Sequence, residues 1–285
     1  MEYKSLAKTS AEKVCEAFND AFSDYEVPIQ MPYEKFVKVG KRRGANYEIS
    51  MGAYDEDRLA GFVVNAGGLW QGKNTIYDCF TGVTSDYQRR GIATKLIEES
   101  FENSKKLGFE NYLLEVIQTN IKAYELYKRK GFEISRCFDV YRAEVKDITF
   151  PENKKKFNIK KIENADWDLF ETFWNIYPSW QNSTDSVKRI MEDFEIFSAF
   201  DNERCIGYLV LESNTGDVPQ LSIHKEYRRK GVASSLIKKA SENRRDGYKL
   251  SFLNIDSDYK PFSEFMKKLN FKIIVKQYEM IRNLR

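Results

Sequence analysis

The stretch Thr81–Leu107, TGVTSDYQRRGIATKLIEESFENSKKL, predicts a short apolar strand, a tight polar turn and then an amphipathic helix. Its later apolar residues recur at helical spacing, namely Ile92, Leu96, Ile97, Phe101 and Leu107. In the turn, Gly91 permits backbone conformations that other residues avoid. The first N–H groups of a helix lack intrahelical acceptors, and the helix dipole favours negative charge beside them. We therefore predict that this turn binds an anion such as a diphosphate, the alternative being a solvated turn capped by glycine.

The same pattern occurs a second time in the chain. The segment Arg228–Ala233, RRKGVA, follows another apolar strand and opens another amphipathic helix, and Gly231 lies 140 residues after Gly91. The preceding hairpin repeats as well, because AYDEDRLAGFVV at 53–64 aligns without a gap with AFDNERCIGYLV at 199–210. The first copy has six extra residues in the glycine-rich segment 66–72, which we interpret as a loop insertion.

The repeat predicts two domains, 1–148 and 149–285, joined by a linker at 147–156 that contains Pro151. A chain of 285 residues is long enough for two cores, and 42% apolar with 31% charged residues is typical of a soluble globular protein. A formal net charge of +3 gives little support for nucleic-acid binding. We find no run of 18 apolar residues and no signal peptide.

The four cysteines lack the spacing of metal ligands, so we expect reduced thiols, no metal and a cytoplasmic protein. We expect no membrane partner, and either a monomer or a homodimer. The basic runs Lys41–Arg43 and Lys154–Lys156 are either solvated surface or a site for an acidic partner. Helices are predicted at 33–39, ending at Gly40, and in the second copy at 167–177 and 184–194.

Both turns fit the pattern Q/R-x-x-G-x-G/A, which resembles the pyrophosphate loop of the GNAT acetyltransferase superfamily. The resemblance covers nearly the whole chain in two tandem copies, an arrangement similar to that of the mycothiol synthases. It implies an α/β fold with a mixed sheet in each copy, and acetyl-CoA as the cofactor. It also assigns the cofactor-binding residues, which are Val83, Gln88, Arg89, Arg90, Gly91, Ile92, Ala93 and Asn120 in the first copy, and Arg228, Arg229, Lys230, Gly231, Val232 and Ala233 in the second.

The segment 114–132, LEVIQTNIKAYELYKRKGF, resembles the bacterial N-terminal acetyltransferases that modify ribosomal proteins. In that group the glutamate of the LEV strand is the general base, and a tyrosine twelve residues later is the general acid. Glu115 and Tyr127 stand at this spacing. The alternatives are that Glu115 is an edge residue facing solvent and that Tyr127 only packs in the core. Asp78 on the preceding strand is a rival base.

The second copy departs from this pattern. Met266 stands in the place of Tyr127 and Tyr259 in the place of Asn120, and the strand LSFLNID has no clear glutamate. A thioether cannot protonate a thiolate. We therefore predict that the second copy is catalytically degenerate although its loop fits the cofactor, with Asp217, Tyr248 and Tyr259 left open as other proton-transfer groups.

The function expected from these features is transfer of an acetyl group from acetyl-CoA to a primary amine, by direct attack in a ternary complex. The acceptor is either a peptide or protein N-terminus or a small-molecule amine. The alternative is a non-enzymatic acyl-CoA-binding or regulatory module.

Overall fold

The computed structural model describes residues 1–23, 30–152 and 155–285. The chain forms two compact units, of which the first contains Met1–Ser135 with Tyr278–Arg285, and the second contains Arg136–Gln277. This division differs from the boundary predicted at residue 148, because the last strand of each copy ends in the unit built by the other copy. The predicted linker includes residues 153 and 154, which lie outside the described residues, as does Lys154 of the second basic run.

The two copies contain similar elements in the same order. Those of the first copy are β1 (Glu2–Ser5), α1 (Ala11–Ala21), α2 (Tyr33–Arg43), β2 (Ala45–Asp55), β3 (Arg58–Trp70), β4 (Lys73–Val83), α3 (Ile92–Lys106), β5 (Asn111–Ile117), α4 (Ile121–Arg129) and β6 (Glu133–Glu144). Those of the second copy are β7 (Asn158–Ile162), α5 (Trp167–Glu171), α6 (Thr184–Lys188), β8 (Phe194–Asp201), β9 (Arg204–Glu212), β10 (Asp217–Ile223), α7 (Val232–Ser241), β11 (Lys249–Asp256), α8 (Lys260–Lys268) and β12 (Lys272–Asn283).

In the first unit the strand order is β1-β2-β3-β4-β5, followed by residues 278–283 of β12. Strands β1 to β4 are antiparallel neighbours, and β5 is parallel to β4, so the sheet is mixed as predicted. The apolar stripe of α3 is buried, with Leu96, Ile97 and Phe101 in one core cluster together with Tyr112 of β5. The helix therefore forms because this stripe has a sheet to pack on.

The second unit has the strand order β6-β11-β10-β9-β8-β7, and β10 is parallel to β11. The remaining neighbours are antiparallel. Leu236, Ile237 and Ala240 of α7 are fully buried in its core. This arrangement repeats that of the first unit, which confirms the duplication read from the hairpins.

The extra residues of the first copy do not form a loop insertion, and that prediction is wrong. They lengthen the hairpin of β3 and β4, in which Ala66 pairs with Tyr77 and Trp70 with Lys73. Gln71 and Gly72 form the turn with positive φ angles of 48° and 78°. The glycines that suggested a loop lie inside β3, where a Cβ on Gly67 would meet the ring of Phe109 at 2.8 Å.

Three helix predictions also need correction. The second helix passes through Gly40 to Arg43 and ends at Gly44, whose φ is 84°. In the second copy α5 and α6 are much shorter than predicted. Pro178 disfavours helix in the residue before it, and the apolar residues from Phe194 onward pair in β8 instead. In the described part of the chain, no helix is long and apolar enough to cross a membrane.

Candidate active site

The centre of the first unit is a gap between the parallel strands β4 and β5. The strands pair over Thr75–Tyr77 and Asn111–Leu113, and in the described residues no further pairs join them. The separation follows a bulge at Cys79, since Val64 of β3 faces Phe80 whereas Asn65 faces Asp78. A bulge bends its strand and increases the local twist. The gap leaves the ends of both strands open toward the turn that precedes α3.

The turn before α3 has the backbone of an anion-binding loop. Arg89 and Gly91 both lie in the left-handed region, with φ angles of 61° and 80°. Helix α3 then starts at Ile92 without a hydrogen bond from a capping side chain. A Cβ built on Gly91 would meet no atom within 4 Å, so the space in front of this helix end is open. These N–H groups and this space fit a diphosphate.

The side chains of the turn contact other parts of the first unit. The Arg90 guanidinium lies over the Tyr87 ring at 5.2 Å, and Ile92 is buried in the core. Gln88 is an exposed residue whose Nε2 donates to the carbonyls of Val83 (3.2 Å) and Ala21 (3.5 Å). Gln88 therefore joins the loop to the end of β4 and to α1.

The second turn repeats this geometry with different side chains. Arg229 and Gly231 have φ angles of 60° and 90°, and α7 starts without a capping side chain. Arg228 takes the place of Gln88, since its Nε donates to the Ile223 carbonyl (2.9 Å) and its Nη2 to the Phe173 carbonyl (2.8 Å). Lys230 lies over the Tyr227 ring at 5.3 Å, as Arg90 does over Tyr87.

Glu115 has a buried partner that sequence reasoning missed. Tyr77 of β4 is almost fully buried, and its hydroxyl is hydrogen-bonded to Glu115. Burial, and after it the charge of Glu115, raise the pKa of Tyr77 well above its usual value, while Arg43 opposes the rise. The phenol therefore stays protonated and acts as a donor to the carboxylate.

Arg43 also changes the interpretation of the first basic run. Its Nη1 donates to the Cys79 carbonyl at 2.6 Å, and its guanidinium lies over the Phe80 ring at 5.0 Å. Arg42 beside it is buried. Two of the three residues of the run are thus packed against the protein, so the expectation of a plain solvated surface is wrong for them. No local sequence pattern predicts these contacts of Arg43, because they depend on the end of α2 lying against β4.

The rival base Asp78 lies on the other side of β4 from this pair. The Thr81 hydroxyl donates to its Oδ2 at 2.6 Å. Burial raises the pKa of Asp78 to about 6, although the bond from Thr81 and the charge of Arg43 both lower it. A carboxyl with this pKa is suited to accept a proton near neutral pH. Asp78 and Tyr127 both act electrostatically on Tyr112.

Tyr127 is held rigidly in α4. Its side chain is buried, and its ring meets the Phe132 ring at 5.6 Å in an edge contact. The Asn120 side chain caps the helix, because its Oδ1 accepts the Ala123 N–H at 3.2 Å. The same cluster contains Met280 from the last strand. Tyr127 is therefore fixed within its core cluster by contacts from several elements.

The second unit differs from the first at three matching places. The offset of 139 residues that relates Tyr127 to Met266 also relates Glu115 to Asn254, a counterpart that the sequence reading overlooked. Asn254 is buried, its Nδ2 donates to Ser179 Oγ and its Oδ1 accepts from Gln277. The bulge of β10 includes Pro219 where β4 has Cys79. Proline has no backbone N–H to offer at that point.

The other candidate groups of the second copy lie at different depths. Asp217 is buried where β10 meets β11, and Tyr248 is buried with its hydroxyl donating to the Ser213 carbonyl at 2.8 Å. Tyr259 lines a cavity, and its hydroxyl accepts a hydrogen bond from Asn175 Nδ2 at 2.7 Å. The structure thus brings Tyr259 to the cleft and places Tyr248 elsewhere.

That cavity has a volume of about 900 Å³ and lies within the second unit. It runs from the turn Arg228–Ser234 along β10 to residues 173–179, and α8 forms another wall. Its size is near the upper end of the roughly 300–1,000 Å³ typical of ligand sites. The second turn therefore opens into a cleft of the size typical of ligand sites.

Comparison with known proteins agrees with this geometry. Residues 11–132 match the Acetyltransferase (GNAT) family, and residues 167–280 match an Acetyltransferase (GNAT) domain. The chain belongs to the GNAT acetyltransferase family. It contains two GNAT domains in tandem, as the repeat predicted, and the predicted GNAT fold is confirmed in both copies.

Individual GNAT relatives support the same placement. The chain is 33% identical over 86 residues to N-alpha-acetyltransferase 30 of Schizosaccharomyces pombe, which covers 30% of this chain and 57% of that protein. It superposes on a tandem GNAT protein from the clavulanic acid biosynthesis pathway with a TM-score of 0.76 and 11% identity, covering 100% of this chain and 98% of that one. A GCN5-related N-acetyltransferase from Sphaerobacter thermophilus gives 0.74 and 12%, covering 100% and 96%. At identities this low, the two superpositions show that the fold is shared and nothing more.

Proposed function

We propose that the first unit transfers an acetyl group from acetyl-CoA to a primary amine, by direct attack while both substrates are bound. The observation that carries this proposal is the pairing of two features around one gap. At one end of the gap lies the loop before α3, whose first helix N–H groups have no capping side chain. Glu115 is on β5, which borders the gap, and Tyr127 is on α4, which follows β5. A binding module has no need for an acid and a base in addition to the loop.

The residues of the first unit then have distinct roles. When bound, acetyl-CoA supplies the activated acetyl thioester, and the N–H groups around Arg89–Ala93 hold its diphosphate. Glu115, kept in place by Tyr77, takes the proton of the acceptor ammonium. Tyr127 gives its proton to the departing thiolate. Backbone donors on the strand that ends at Val83 polarise the thioester carbonyl.

For the acceptor we favour a peptide or protein α-amine over a small amine. The support is the likeness of segment 114–132 to the ribosomal-protein acetyltransferases, together with the name of the Schizosaccharomyces pombe relative. We propose a cytoplasmic location, since none of the four cysteines forms a disulfide, as is typical of proteins in a reducing compartment. A monomer or homodimer stays the prediction.

For the second unit we propose cofactor binding without transfer. The loop Arg228–Ala233 has the same backbone as the first loop and opens into the cavity. Asn254, Met266 and Pro219 replace the base, the acid and a backbone donor. Two loops of this kind with only one set of reactive groups are what we expect of an enzyme whose second unit binds the cofactor and does not transfer its acyl group.

The test is the rate of thiol release from acetyl-CoA with a panel of peptides and small amines. We expect Tyr127→Phe to lower kcat by about 100-fold or more, because an isosteric ring without the hydroxyl cannot donate the proton. The matched control is Tyr124→Phe on the same helix, which we expect to keep the wild-type rate. Equal rates for Tyr127→Phe and wild type on an accepted amine would show that Tyr127 is not the acid.

A further inference from the structure

We propose that the cavity of the second unit binds an acyl-CoA whose acyl group is a medium-length apolar chain, in preference to acetyl-CoA. This inference rests on the proposed function, in which the loop Arg228–Ala233 holds the CoA diphosphate. It goes beyond it in assigning the acyl group. Octanoyl-CoA is the representative ligand.

One end of the cavity suits the anionic part of such a ligand. The loop carries Arg229 and Lys230, and the N–H groups of α7 begin there. From this loop the cavity follows β10 between Val218 and Ile223. A ligand whose diphosphate binds at the loop is therefore directed along β10, past the Phe173 carbonyl to which Arg228 bonds, and toward residues 177–179.

The wall of the cavity formed by residues 173–179 and β9 carries aromatic rings beside the polar side chains of Arg136 and Asn175. Phe173, Trp174, Tyr177 and Tyr208 all line it. The polar atoms of this wall bond to one another, since Trp174 Nε1 donates to the Tyr208 hydroxyl (2.7 Å) and that hydroxyl donates to Gln220 Oε1 (2.9 Å). Gln220 Nε2 in turn donates to the Asn182 carbonyl (2.8 Å). An ammonium placed there would lose its water, whereas an alkyl chain gains by leaving water.

The chemistry of this wall also favours binding of an alkyl chain over binding of an acceptor amine. In the first unit Glu115 is the carboxylate at the corresponding place, and in the second unit Asn254 supplies a carboxamide instead. Burial raises the pKa of Tyr208 well above its usual value, so its phenol stays neutral. Apart from Arg136, whose Nη1 donates to the Tyr177 carbonyl, the side chains of this wall therefore match an uncharged ligand group.

The expected preference can be bounded. Each fully buried methylene strengthens binding by about fourfold, which corresponds to about 0.8 kcal/mol. Octanoyl has six methylenes more than acetyl, and part of the chain stays near the mouth of the cavity. We expect octanoyl-CoA to bind the second unit at least tenfold more tightly than acetyl-CoA.

The experiment is isothermal titration calorimetry on the full chain carrying Ala93→Glu. Ala93 is partly exposed at the start of α3, and a carboxylate there repels the diphosphate from the first loop, so the remaining heat reports on the second site. In the reciprocal variant Ala233→Glu the carboxylate repels the diphosphate from the second loop, so we expect the heat of the second site to be absent. Binding of octanoyl-CoA with a Kd at least tenfold below that of acetyl-CoA supports the proposal.

Two further variants separate the aromatic wall from the loop. Tyr177 is 42% exposed, so Tyr177→Glu puts a charge on the wall without disturbing the core. We expect it to remove the preference for octanoyl-CoA while acetyl-CoA binding stays within about twofold, and Tyr177→Phe to keep the preference. The fluorescence of Trp174, absent in Trp174→Phe, gives an independent measurement of the same binding in the wild-type chain.

The outcomes distinguish the two proposals. Equal Kd values for the two ligands in Ala93→Glu overturn the assignment of the acyl group and leave cofactor binding intact. No heat with either ligand in Ala93→Glu, when wild type binds at one site, overturns cofactor binding by the second unit. Neither outcome changes the transfer activity proposed for the first unit, which the Tyr127→Phe comparison tests.

Discussion

Glu115 and Asp78 of the first unit are the two candidates for the general base, and their surroundings differ. Glu115 is hydrogen-bonded by the buried Tyr77, which fixes its orientation. Asp78 accepts a bond from Thr81, and burial raises its pKa to about 6. A raised pKa makes Asp78 a better proton acceptor than an ordinary aspartate, whereas a fixed position favours Glu115.

We expect Glu115→Gln to lower kcat by about 100-fold or more, and Asp78→Asn to change it by less than about threefold. The reason is that the carboxamide introduced by Glu115→Gln cannot take a proton but keeps the size of the side chain. The measurement is the pH dependence of kcat/KM for both variants. The reverse result, a large loss in Asp78→Asn alone, assigns the base to Asp78.

Asp78 also makes stability depend on pH. Its pKa is raised in the folded protein, from 3.8 to about 6, so folding favours the protonated carboxyl. This contribution is complete below about pH 4 and is lost as the pH rises through 6, to a total of at most about 3 kcal/mol. We expect Asp78→Asn to gain stability relative to wild type between about pH 4.5 and about pH 7 in urea unfolding. Asp86→Asn at an exposed position is the control, and parallel curves for Asp78→Asn and wild type would contradict the prediction.

At the scale of the element, the anion loop is positioned by one side chain that differs between the copies. Gln88 bonds to the Val83 and Ala21 carbonyls, and Arg228 bonds to the Ile223 and Phe173 carbonyls. The two residues thus hold their loops in the same way, with neutral and charged donors. Because both side chains bond to carbonyls of the protein, we propose that the phosphate contacts of each loop come from its backbone.

We expect Gln88→Ala to raise the KM for acetyl-CoA by roughly tenfold with little change in kcat, since losing these two bonds, each worth about 0.5–1.5 kcal/mol, loosens the loop. The matched variant is Gln88→Arg, which copies the second unit and should keep most of the affinity. Initial rates at varied acetyl-CoA provide the measurement. An unchanged KM in Gln88→Ala would mean that the backbone holds the loop without this side chain.

At the scale of the whole molecule, the first unit depends on the last residues of the chain. Met280 and Leu284 are buried in the core cluster that contains Tyr127, and the ring of Tyr278 meets that of Tyr124 at 5.3 Å. The Arg282 guanidinium lies over the Phe101 ring at 4.1 Å and donates to the Lys130 carbonyl at the end of α4. The C-terminal segment therefore supports the helix that carries the proposed acid.

We expect Leu284→Asp to lower the melting temperature by at least about 5 °C and to abolish acetyl transfer, because it buries a charge in the core beside α4. Asn283→Asp at the neighbouring exposed position should have little effect on either. Thermal unfolding and the thiol-release assay are the two measurements. Full activity in Leu284→Asp would indicate that the first copy folds without the C-terminal segment.

The sequence by itself determined the duplication, the two turns that each precede a helix, the mixed sheet and the matching of Tyr127 with Met266. Helix periodicity and a glycine that needs a positive φ are local patterns, and the duplication is visible when the two copies are aligned along the chain. The mixed sheet followed from the resemblance to the GNAT family. The replacement of Glu115 by Asn254 was also available in the sequence, in the offset of 139 residues between the copies.

Only the tertiary structure decided which distant residues meet. It placed Arg43 and Tyr77 beside the proposed site and bonded Gln88 and Arg228 to backbone carbonyls. It also extended the hairpin at 66–72 and brought residues 278–285 into the first unit. The physical reason is that strand pairing and core packing join segments far apart in the chain. The free energy of these contacts depends on shape and burial, and no local pattern of residue types encodes either.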